Sequence, residues 1–169
     1  MNSQQSLSTF AGIGYLTIFI TGIFSNFFVL ESLVIPDNAI TTSNNIMENE
    51  TLFRTGLISF IIMVVFDVLL AWALYIILKP VNKNLSLLSG WLRLVNSTIF
   101  AIALYNLLSV LHILSSVEYL EVIHKDQLSA QVMLSLNTFN TTWLLGLVFF
   151  GFHLLVLGYL IYKSGYIPR

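Results

Sequence analysis

The sequence predicts an all-α polytopic membrane protein, an antiparallel bundle of four transmembrane helices with short outer-surface helices and both termini cytoplasmic. Three observations carry this. Of 169 residues, 57% are hydrophobic and 9% charged, against roughly 25% charged in an average soluble domain. Four apolar runs, Phe10 to Leu30, Leu57 to Leu78, Leu87 to Leu114 and Phe139 to Ile161, each reach the roughly 20 residues a bilayer core requires. The basic residues are distributed unevenly between the connections, which sets a direction.

Taken in order, the runs give helices over about residues 10–33, 53–78, 87–114 and 138–163 of a single transmembrane domain spanning 1–169. No Lys or Arg precedes the first run and no small-residue cleavage site follows a short apolar core. It therefore reads as a spanning helix rather than a signal peptide. The runs lack the strict alternation and even turn spacing of a barrel, and helices satisfy every backbone group within one segment. The connection KPVNKNLSLLSG is short and carries Pro80, which cannot continue a helix interior, so the second and third helices form an antiparallel hairpin. DNAITTSNNIMENE, after Pro36, offers Ser, Thr and Asn caps for a short surface helix leading into the second span. DQLSAQVMLSL, from Asp126 to Leu136, starts on a good N-cap and has apolar residues at helical spacing. It is expected to lie along the outer interface before the fourth span.

The charges orient the bundle. The side formed by the N-terminus, the Lys79 to Arg93 connection and the C-terminus holds Lys79, Lys83, Arg93, Lys163 and Arg169 and no acid. The other holds Arg54 and Lys125 with Glu31, Asp37, Glu48, Glu50, Glu118, Glu121 and Asp126. Lys and Arg at the ends of spans favour the cytoplasm, so both termini are placed inside. A net charge of -1 excludes a basic nucleic-acid surface of the usual kind. The absence of Cys excludes disulfides, thiolate nucleophiles and cysteine-ligated metal or iron–sulfur centres.

Several strings carry a resemblance over essentially the whole chain. They are AGIGYL and TGIF in the first helix, SLVIPD after it, LFRTG entering the second, then LKPVNKNL, and GLVFFGFHLLVLGYLIYKSGYIPR at the end. Together they resemble the bacterial membrane-protein family known as domain of unknown function 4386, with LKPVNKNL and LGYLIYKSGYIPR the most specific. The resemblance implies a bacterial inner-membrane protein with no assigned activity. It also implies that members continue past Pro168 and Arg169 with further hydrophobic segments, which makes this chain a shortened member or a fragment.

Polar residues within the spans are the candidate site. An acid near the middle of a membrane helix costs roughly 2.5–3.5 kcal/mol even on lenient scales, so Asp67 needs a partner. Ser59, Met63, Asp67, Ala71 and Tyr75 recur every four residues and form a stripe expected to face the bundle. Counted at 1.5 Å per residue from Lys79 and Lys163, Asp67 lies about 18 Å and His153 about 15 Å deep. The two can meet as a hydrogen-bonded or ion pair. The functional reading is a proton relay or the polar centre of a substrate pathway; the structural one is an interhelical hydrogen bond fixing the packing. Arg93, Ser97, Ala101, Tyr105, Ser109 and His112 form a second stripe on the third helix, with Asn96 and Asn106 nearby. Arg93 is expected to snorkel to headgroups at the inner surface. Thr17, Thr21 and Ser25, and Gly151 and Gly158, are spaced for close helix contact. Glu31 and Arg54 sit near one level at the outer surface as a candidate pair.

The candidate intramembrane site is thus Asp67, His153, Tyr105, Ser97, Arg93 and Ser59, with no residue assigned as catalytic and no metal or cofactor implied. His112 and His153 lie at different depths, which rules out one haem between them. GxSxG, HExxH, a phosphate loop and a Rossmann fingerprint are all absent. The leading reading is a non-enzymatic protein that binds or conducts a small solute or protons through its polar interior. The alternatives are a structural or partner-binding membrane protein without transport activity, and an intramembrane enzyme acting on lipid with Asp67 and His153 as acid and base. The partners expected are the lipid bilayer, a small molecule or protein, and a second copy of the chain, since four spans are few for a pathway and a channel would form between subunits; no nucleic acid is expected.

Overall fold

The computed structural model describes residues 3–115 and 123–165, with side chains from residue 5. The expected charges Glu118, Glu121 and Arg169 lie outside the described residues. Those described build only helices and connections. α1 is Ser3–Ile23, continued without a break by a π-helical stretch Phe24–Leu30 and a final turn, α2, at Glu31–Leu33. α3 is Ala39–Glu48, α4 Glu50–Leu78, α5 Lys83–Ser115 and α6 Lys125–Ser164. Four helical stretches, Gln5–Leu33, Glu50–Leu78, Lys83–Ser115 and Lys125–Ser164, are long and apolar enough to cross a membrane.

Each boundary has a local cause. Pro80 ends α4 one residue after Lys79, and the N–H groups of Lys79, Val81 and Asn82 satisfy the carbonyls of Tyr75 and Leu78. Asn82 then starts α5, its Oδ1 accepting from the Leu85 N–H at 3.0 Å, as an N-cap does. Ser86 Oγ donates to the Tyr75 carbonyl at 2.8 Å and locks the hairpin. α3 begins on Asn38, whose Oδ1 accepts from the Thr41 N–H at 3.0 Å. Gly165, at φ 69°, closes α6 in the left-handed conformation that glycine adopts without cost. In the π stretch the Glu31 N–H reaches back five residues to the Asn26 carbonyl.

The spans pack in chain order: α1 on α4, α4 on α5, α5 on α6. The register of α1 on α4 is antiparallel and runs through small residues, Gly14 against Leu70, Gly22 against Met63 and Gly56 against Val29. The buried Ser25 Oγ donates to the Gly56 carbonyl at 2.9 Å. The N-terminus, the α4–α5 hairpin and the end of α6 thereby share one end, here the hairpin end, and α3 caps the other. α1 and α6 do not form a packed pair, so a seam runs between them. Buried apolar residues cluster toward the α3 end around Phe53, Phe60, Leu107, Val132 and Phe139. Smaller clusters at the hairpin end centre on Leu70 and on Leu160.

Two expectations are corrected. The stretch from Asp126 to Leu136 is not a separate helix on the interface but the first turns of the 40-residue α6, about 60 Å long. No Pro or Gly lies between Lys125 and Leu145, and Leu128, Val132 and Leu136, four apart, are buried in the protein, α3 packing on α6. Gly151 and Gly158 line no helix contact: a Cβ at either would meet nothing within 4 Å. The tight glycine of α6 is Gly146, where a Cβ would fall 2.6 Å from the Phe100 ring.

Candidate functional site

Between the apolar clusters lies a polar layer. α5 supplies Ser89, Arg93, Asn96 and Ser97 along one face, each 3% exposed or less; the spacings of four, three and one keep them on the side turned to α4 and α6. α4 supplies Asp67 at 3% exposure, and α6 supplies His153 at 0%.

Arg93 is the hub. Its Nη2 lies 2.5 Å from Asp67 Oδ1, and its Nε donates to the Asp67 carbonyl at 3.3 Å. Nη1 donates to the Tyr15 hydroxyl of α1 at 3.2 Å and faces His153 Nε2 at 3.0 Å. Four of the five N–H groups of the guanidinium are thereby used, and the group lies over the rings of Tyr15 and Phe150, 5.1 and 5.6 Å from their centroids. Asp67 Oδ2 accepts from Ser97 Oγ at 2.8 Å and from Asn96 Nδ2 at 3.0 Å. The carboxylate therefore has three side-chain donors and a counter-charge, which is what a buried charge requires.

Since a guanidinium has no acceptor, His153 Nε2 accepts from Arg93 and the ring proton sits on Nδ1. That proton lies 2.9 Å, heavy atom to heavy atom, from the Ser89 carbonyl, with Ser89 Oγ at 3.0 Å. Asn96 Oδ1 is buried without a hydrogen-bond partner among the described residues, on the side where the bare Cα of Gly146 approaches.

Of the residues expected from sequence, the structure brings together Asp67, Arg93, Ser97 and His153. Asp67 and His153 do not touch directly; both bind Arg93. Arg93 does not snorkel. α5 begins at Lys83, so Arg93 stands about 15 Å along the helix, and the paired carboxylate offers it more than distant headgroups. Tyr105 is 69% exposed and outside the cluster. At 100° per residue, the twelve positions from Arg93 turn it about 120° away. Ser59 is half-buried two turns beyond Asp67 and joins no bond of the cluster. Arg54 pairs with Glu50, one turn back in α4, at 2.6 Å, whereas Glu31 accepts from Asn26 Nδ2 at 3.3 Å. Ser89, Asn96, Tyr15 and Phe150 complete the site. The first two carried a signal in their spacing from Arg93, and Tyr15 in its depth along α1. As possible ligands the cluster offers one carboxylate and one imidazole with a cation between them. No group of three or more His, Cys, Asp or Glu converges among the described residues.

A family model described as "Domain of unknown function (DUF4386)" matches residues 10–169. The chain belongs to the DUF4386 family. A curated relative, an "Uncharacterized protein" of Archaeoglobus fulgidus, is 35% identical over 114 residues, covering 68% of this chain and 54% of the relative. The match thus takes in about half the length of that relative. No solved structure matches the chain.

Proposed function

We propose that this DUF4386 member is a multi-pass protein of a bacterial inner, cytoplasmic membrane that binds or conducts a small solute or protons at the Asp67–Arg93–His153 cluster. The observation that carries the reading is a single buried guanidinium shared by two proton-accepting groups on different helices. A proton delivered to Asp67 weakens its hold on Arg93, and the released cation would then take an anionic group. One proton and one anion entering together leave the charge of the site unchanged, which a low-dielectric interior favours. Ionisable groups inside membranes mark such pathways more often than chance placement would. With Arg93 counted in the interior, Lys79, Lys83, Lys163 and Arg169 stand against Arg54 and Lys125. That balance supports the hairpin end and both termini facing the cytoplasm.

The test is proton and anion flux in liposomes containing the purified protein, comparing the native sequence with Asp67→Asn and His153→Ala, with folding followed in parallel. Flux lost in two folded variants supports the pathway. A second reading, a structural staple, is favoured by the near-complete internal pairing of the cluster; it predicts no flux in any form and destabilised variants.

A further inference from the structure

A cavity of about 470 Å³ opens in the α1–α6 seam at the α3 end. It is separate from the Arg93 cluster: Asn26 is eleven residues beyond Tyr15 on α1, and Asn140 ten before Phe150 on α6, so the cavity stands about 15 Å above the cluster. The π-helical stretch forms one wall with Asn26 and Leu30, and α6 forms the other with Leu136, Phe139 and Asn140. Glu31 and Asp37 stand on the α1 side and Asn137 on the α6 side. The lining contains no base, and among the described residues neither carboxylate has a basic partner. π-helical turns recur at functional sites because they widen the helix and re-aim its side chains.

We propose that this cavity binds a phospholipid with a primary ammonium headgroup, a surface of the protein independent of the Arg93 reading. Three kinds of group converge at one level. Carboxylates at Glu31 and Asp37 match an ammonium, the carboxamides of Asn26, Asn137 and Asn140 can donate to a phosphate, and Leu30, Leu136 and Phe139 offer an apolar wall to an acyl chain. The level is that of a lipid headgroup, since the apolar run of α6 starts at Phe139 and Pro36 and Asp37 of the polar loop line the cavity. The seam gives a lipid lateral access, because α1 and α6 are not packed together. The volume falls within the range of roughly 300–1,000 Å³ usual for small-ligand sites.

The experiment places the full chain in nanodiscs of equal phosphatidylethanolamine, phosphatidylcholine and phosphatidylglycerol and reads co-retained lipid by native mass spectrometry. Phosphatidylethanolamine should be retained several-fold over the other two. The Glu31→Gln/Asp37→Asn variant, altered only at exposed side chains, should lose that preference, a fall of about fivefold, since an ion pair near 4 Å contributes about 1 kcal/mol in water. Asn140→Trp, which fills the cavity from an exposed position, should abolish retention with circular dichroism unchanged. Equal retention of the three lipids, a preference for phosphatidylglycerol, or a preference that survives both variants would each overturn the assignment.

Discussion

Arg93 and Asp67 are joined twice, by an ion pair at 2.5 Å between Nη2 and Oδ1 and by a hydrogen bond from Nε to the Asp67 carbonyl at 3.3 Å. The second bond fixes the guanidinium to the α4 backbone, so the pair holds two helices in register as well as cancelling two charges. Removing one partner leaves the other charge buried and uncompensated, whereas removing both leaves no buried charge, only a packing defect and the neutral polar groups of Asn96, Ser97, Tyr15 and His153 to pair anew. Arg93→Met alone is expected to cost about 3–5 kcal/mol, and Asp67→Leu/Arg93→Met distinctly less. Reversible unfolding in bicelles measures both; a double variant as unstable as the single one would refute the coupling.

The fold class was legible because a bilayer imposes a length and a composition that run unmistakably through the chain, and Asp67 stood out as an acid within an apolar run. Arg93 was misplaced for a reason that is physical: a cation near a hairpin resembles a snorkelling one until its partner across the helix pair is known. Tyr105 entered because a four-residue repeat drifts 40° per step and leaves the buried face after a few turns. Tyr15 carried only its depth along α1, and depth alone does not say that α1 meets α5, a helix remote from it in sequence.

Glycine contacts give a second comparison. A Cβ at Gly146 would sit 2.6 Å from Phe100 Cε1, on a ring stacked at 3.7 Å against Trp143, and one at Gly56 would sit 2.7 Å from Val29. Neither neighbour can yield without disturbing its own packing, so Gly146→Ala and Gly56→Ala should each cost about 1–3 kcal/mol. Gly151→Ala meets open space and should be neutral or stabilising by up to about 1 kcal/mol through helix propensity. Thermal midpoints of the three variants in one detergent decide the order.

The loop between α2 and α3 depends on Thr42, which is fully buried. Its Oγ1 accepts from the Ile35 N–H at 2.9 Å and donates to the Ile35 carbonyl at 3.2 Å, so one hydroxyl satisfies both backbone groups of the residue before Pro36. Thr42→Val keeps the volume and strands the Ile35 N–H, while the Ile35 carbonyl keeps the Asn38 N–H at 3.2 Å, at an expected cost of about 1–3 kcal/mol. Hydrogen exchange of the Ile35 amide should accelerate while the α4 amides stay protected; unchanged exchange would show that the hydroxyl is dispensable.

The tautomer of His153 offers the sharpest test of the cluster's wiring. Nε2 faces a group that can only donate, and Nδ1 faces the Ser89 carbonyl, which can only accept; the two constraints agree on a proton at Nδ1. In histidine solution the opposite tautomer is the commoner one, so nitrogen-15 solid-state spectra of the labelled protein in lipid should show Nδ1 protonated and Nε2 bare. Arg93→Met removes the donor, leaves the Ser89 carbonyl, and should loosen the preference without erasing it. Ser89→Ala keeps the carbonyl and should leave the tautomer unchanged. A protonated Nε2 in the native protein would mean that Arg93 does not bind His153, and the reading of one cation shared by two proton acceptors would fall with it.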